Sequence, residues 1–62
     1  MKVYEVCDYR VSSTIGYLRM EEALAREIEE REIVYFVERE VPDSDSLPEI
    51  GSDVELDRWL LQ

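Results

Sequence analysis

Sixteen carboxylates, a single thiol at Cys7 and no histidine make up most of the reactive side-chain chemistry in this 62-residue chain. Paired carboxylates can work as general acid and base when burial or a neighbouring charge splits their pKa values. Here the acids are numerous and nothing in their spacing sets one pair apart. Cys7 could serve as a nucleophile, but thiol activation normally needs an adjacent base, and the chain has no histidine. Its place inside a strand-like run reads instead as a small buried hydrophobe. The loop Asp43-Ser44-Asp45-Ser46-Leu47 opens like a calcium loop, with acids at alternate positions. The pattern then fails: Pro48 stands where a glycine must turn the chain, and Val54 where a bidentate glutamate should close the shell. No glycine-rich phosphate loop and no cysteine cluster for zinc occurs. The sequence therefore reads as non-enzymatic, without metal or cofactor.

What remains is charge, and it is unevenly placed. The formal charge is −9, yet residues 1–20 sum to +1, residues 21–41 to −5 and residues 42–62 to −5. A negative field of this size disfavours direct binding to nucleic acid or an anionic membrane and favours a basic partner. The candidate contacts are Glu21, Glu22, Glu29 and Glu32 on and after a first helix, Glu38 and Glu40 on a strand, Asp43 and Asp45 in the loop, and Asp53 and Asp57 on a last helix. Trp59 joins them because tryptophan is enriched where interfaces concentrate their energy. The competing reading is a solvated helix face carrying Glu22–Arg26 and Glu27–Arg31 pairs, with Trp59 as a core residue.

The elements that must position these residues follow from periodicity. Residues 3–11 alternate as a strand, with Val3, Cys7, Tyr9 and Val11 in one phase and Tyr4 and Val6 in the other. Residues 14–18 read as a second strand of a hairpin. A long helix beginning near Ser13 is the alternative, which Gly16 weakens by about 1 kcal/mol relative to alanine. Met20, Leu24 and Ile28 recur at helical spacing and predict a helix over 20–31 with Glu22 and Glu29 on its solvent side. Residues 33–41 form a third strand, ended by Pro42. Residues 42–51 read as a loop. Ser52-Asp53-Val54-Glu55 is a capping box that starts a helix over 53–61.

The predicted fold is a single α+β domain over 1–62 in β-β-α-β-α order: a three-stranded, mainly antiparallel sheet with one helix across a face and a short C-terminal helix. A right-handed crossover places the third strand beside the first. Such a fold, with one cysteine, no signal-peptide pattern and an apolar run of only five residues, Ile33–Val37, is expected in the cytoplasm. The leading functional expectation is an acidic interaction protein of the small phage-inhibitor type. It would act in the host cytoplasm by covering the basic nucleic-acid-binding surface of a larger defence protein, as anti-CRISPR proteins do by nucleic-acid mimicry. The alternative is an antitoxin-like or regulatory module that dimerises through the C-terminal helix.

Overall fold

In the computed structural model, which describes residues 1–42 and 46–62, the chain runs β1 (Lys2–Asp8), β2 (Thr14–Met20), α1 (Glu22–Glu29), β3 (Val34–Glu40), β4 (Glu49–Ile50) and α2 (Asp53–Leu60). The architecture is α+β, but the sheet is mixed and has four strands in the order β3-β1-β2-β4. β1 lies between β2 and β3, antiparallel to both. The fourth strand lies within the segment expected to be loop. Glu49 and Ile50 pair in parallel with Arg19 and Met20, the last residues of β2. That pairing also corrects the start of the first helix: Arg19 and Met20 are held extended by the ladder, and the helix begins at Glu22.

Local chemistry sets the other boundaries. β1 stops at Asp8 and not at residue 11, because the Asp8 carboxylate accepts the Arg10 N–H at 2.7 Å and its carbonyl accepts the Ser12 N–H at 2.9 Å. This side-chain-to-backbone turn competes with strand continuation. Ser12 completes it at φ 54°. One extra residue in β2 makes a bulge, so that Cys7 pairs with Thr14 while Val6 pairs with Gly16, leaving Ile15 between them. α1 ends at Glu29, and Glu32, at φ 57°, holds the left-handed position that usually follows a helix. At α2 the Ser52 hydroxyl accepts the Glu55 N–H at 3.3 Å, whereas the Glu55 carboxylate reaches back to the N–H of Gly51, at 3.2 Å, one residue earlier than in the predicted box.

Both helices lie on one side of the sheet. Ala25 and Ile28 of α1 and Leu56 of α2 close a core with Tyr4, Val6, Leu18, Val34 and Ile50. Tyr4, Val6, Leu18, Val34 and Phe36 therefore define the inner phase of their strands. The cross-strand partners Glu5, Tyr17 and Val37, with Cys7 and Tyr35, define the outer one. No helix covers that second face.

Candidate functional site

Most of the described acidic side chains lie on the helix side of the sheet, while Glu5 and Glu49 belong to the outer phase. α1 buries Ala25 and Ile28, and the turn geometry then points Glu22, Glu27 and Glu30 away from the core. Glu22 and Glu30 are about 12 Å apart along the helix axis. With Ala23 and Arg26 these three acids line one shallow depression on the helix surface. Only Glu22 of the three was among the expected contacts. Because the helix starts at Glu22 and its inner stripe centres on Ala25 and Ile28, the solvent-facing centre passes through Glu27 and Glu30 and bypasses Glu29.

Glu29 does a different job. Its carboxylate, half-buried, accepts the backbone N–H of Phe36 at 3.1 Å. β3 is an outer strand of the sheet, and this bond ties α1 to its unpaired side. Glu38 and Glu40 project from the same inner-phase row of β3 as Phe36, at the opposite end of the strand from Val34. Each meets a cation of the same chain. Lys2 Nζ lies 3.6 Å from Glu38, and the N-terminal ammonium lies 2.7 Å from Glu40. Glu22 pairs with Arg26 at 2.7 Å. The expected Glu27–Arg31 pair gives way to a contact between helices, with Arg31 3.5 Å from Asp57 of α2. These are exposed pairs, each worth about 0–1 kcal/mol, so they organise the face more than they stabilise it.

Glu21, Glu32 and Asp53 are exposed and form no ion pair among the described residues. Glu21 precedes α1 and Asp53 opens α2, so each adds a negative charge near the positive end of a helix dipole. Asp43 and Asp45 lie outside the described residues. Trp59 is half-buried and packs over Gly16 of β2, where an added Cβ would sit 2.8 Å from the ring. The apolar residues that α2 leaves exposed are Val54 and Leu61.

The uncovered sheet face has one well-defined polar cluster. Glu5, centred on β1, receives hydrogen bonds from the Thr14 hydroxyl and from Arg39 Nε at 3.0 Å, and the Cys7 thiol lies 3.8 Å away. The Thr14 hydroxyl, followed by Arg39, holds the Glu5 carboxyl below its ordinary value of 4.5. Because the folded value is depressed, this pairing stabilises the fold fully above the unfolded value. It is lost as pH falls through the folded one. The stability gap between the wild type and Glu5→Gln is therefore expected to be constant near neutrality and to close progressively below about pH 4.5. Urea melts of both proteins between about pH 3 and about pH 7 measure it. A gap that persists unchanged at the acid end would remove the carboxylate from this role.

Cys7 is buried and free. The Tyr4 hydroxyl is buried without a hydrogen-bond partner among the described residues, while the Lys2 ammonium sits 5.5 Å from the centre of its ring. No set of three or more cysteine, aspartate or glutamate side chains among the described residues is arranged to hold a metal ion. No helix among them is long and apolar enough to cross a membrane. No family model, no curated protein and no solved structure matches this chain.

Proposed function

We propose that the chain is a non-enzymatic inhibitor whose acidic helix side covers the basic, nucleic-acid-binding surface of a larger protein. The class is that of small phage proteins acting on host defence, including anti-CRISPR proteins, in the host cytoplasm. The observation that carries the reading is the one-sided placement of charge. Glu22, Glu27 and Glu30 lie on the outer surface of α1, Glu38 and Glu40 on the inner-phase row of β3, and Asp53 and Asp57 on α2. All belong to the helix-bearing side of one sheet.

Carboxylates so placed would meet the Lys and Arg side chains that otherwise hold phosphates. Long-range attraction would speed encounter, and occlusion would follow from contact. The chain would then bind neither nucleic acid nor membrane directly. Ion pairs inside the face engage Glu22, Glu38, Glu40 and Asp57 and leave Glu27, Glu30 and Asp53 unpaired among the described residues, on a chain whose total charge is −9.

The test is a displacement assay. Host nucleic-acid-binding proteins are loaded on DNA-cellulose in about 50 mM salt, where phosphate contacts are strong, and challenged with the purified chain. Wild type should elute a specific basic protein. The triple variant Glu22→Gln, Glu27→Gln, Glu30→Gln should need about tenfold more protein for the same release. Wild-type potency should also fall as salt rises. Equal potency of the variant, or release indifferent to salt, would sink the proposal. Glu29 is left intact because its carboxylate holds Phe36.

A further inference from the structure

The face without helices points to a second interaction, independent of the acidic one. Two aromatic and two aliphatic side chains flank the central Glu5 cluster. Tyr17 and Ile15 of β2 are each 45% exposed, and Tyr35 and Val37 of β3 are partly exposed. Beyond the end of β1, Tyr9 extends the patch by packing edge-on against Tyr35, with ring centres 5.4 Å apart. A shallow hollow of about 540 Å³ lies beside Tyr17, bordered by Val3, Arg39 and Leu47.

The charges of this face cancel. Cross-strand register places two acids, Glu5 and Glu49, and two arginines, Arg19 and Arg39, in its outer phase. Glu5 and Arg39 pair with each other, and the Arg19 guanidinium donates to the Leu47 carbonyl at 3.0 and 3.2 Å. Glu49 is exposed without an ion pair among the described residues, and the four charges of the face sum to zero. Aromatic and arginine side chains with depleted acid are the composition of interface centres.

We propose that this face pairs with the same face of a second copy, giving a two-fold dimer in which two sheets stack about 10 Å apart. Three observations select a second copy as the occupant. A face whose charges sum to zero can meet its own copy without net repulsion, and Tyr17 lines a hollow there that offers apolar surface to that copy. An approach from the helix side would set carboxylates such as Glu27, Glu30 and Asp53 against their copies. Finally, a 62-residue fold with ten buried hydrophobic residues among those described has a thin core, which a disulfide, a metal or self-association can supplement. The lone Cys7 rules out an internal disulfide, and no metal-holding group exists among the described residues. The dimer leaves both acidic helix sides pointing outward.

Salt separates this association from the acidic one. Two molecules of charge −9 repel at long range while their contact face carries no net charge, so screening should strengthen the dimer. Partner binding through the acidic face should weaken under the same change. Light scattering and sedimentation over about 10 µM to about 500 µM protein, at about 50 mM and about 500 mM salt, should show a mass moving from 7.4 kDa towards twice that value. The association should be several-fold tighter at high salt.

Tyr17→Glu and Ile15→Lys, both at half-exposed positions, should each return the protein to monomer with an unchanged far-ultraviolet circular dichroism spectrum. Leu61→Glu, at the C-cap of α2 and an 87%-exposed position, should leave the dimer intact. The proposal is overturned by a monomer throughout the range. It is equally overturned by an association that weakens with salt, or by one that Leu61→Glu breaks and Tyr17→Glu does not. None of these outcomes bears on the DNA-cellulose assay.

Discussion

Replacing Leu18 with alanine is expected to remove a large share of the fold's stability at room temperature. Leu18 has no exposed surface, and it sits on β2 between Tyr4 of the neighbouring strand and the two helices. Truncating a buried leucine removes its transfer free energy and leaves a cavity, at a cost of about 2–5 kcal/mol. A domain of this length has a total stability of roughly 3–9 kcal/mol at the usual value per residue. One side chain thus carries a large fraction of the margin. Urea denaturation should show a midpoint reduced by about a third or more with the slope m preserved. Leu61→Ala removes the same atoms from an exposed site and should change stability by no more than about 0.5 kcal/mol. A Leu18→Ala protein within about 1 kcal/mol of wild type would mean that β2 does not pack under both helices as described.

Gly16→Val should also destabilise, against the intrinsic preference of strands for valine. The reason is the Trp59 ring. A Cβ at position 16 would stand 2.8 Å from Cζ2 and 3.0 Å from Cη2, inside the distance carbon atoms tolerate. The ring is wedged between β2 and the rest of α2, so relief requires α2 to shift or Trp59 to leave its rotamer. Overpacking of this kind costs about 1–3 kcal/mol. The sign of the effect is conditional on Trp59, which makes it diagnostic. In a Trp59→Leu background the same Gly16→Val change should become neutral or favourable, so the double-mutant cycle should show a coupling above about 1 kcal/mol. Additive effects would place the tryptophan elsewhere.

The two positions illustrate what the sequence made readable. Alternation in residues 3–11 separates Tyr4 and Val6 from Val3, Cys7 and Tyr9. It does not say which phase faces the helices, because both phases are apolar. That choice depends on where α1 lands after the turn at Glu21. Gly16 was read as a mark against helix, which is correct, yet its reason is the approach of Trp59 from forty-three positions later. The third strand's place beside the first followed from crossover handedness. β4 was illegible: two residues show no period, and Glu49-Ile50 is extended only because the end of β2 is there to pair with it.

Acidic content was plain at the level of segments, while the work of individual acids was not. Glu40 meets the N-terminal ammonium and Glu29 the Phe36 amide only because of the β1–β3 register and the exit angle of α1. Counting the apolar stripe from Met20, a strand residue, rotates the expected solvent face around the helix, so that Glu29 falls at its centre, Glu30 only at its flank and Glu27 outside it.

The Glu29–Phe36 bond has one more implication, which concerns growth. A sheet with a bare outer strand can recruit a strand from another molecule, and repetition of that step builds fibrils. Here one outer strand, β4, is two residues long and offers almost no template. The other, β3, has its Phe36 amide already taken by a carboxylate and ends in Glu38-Arg39-Glu40, where an incoming strand would meet charge on both of its faces. The sheet is terminated at both sides. A chain with an apolar face as open as this one can thereby keep its contacts to closed and countable assemblies.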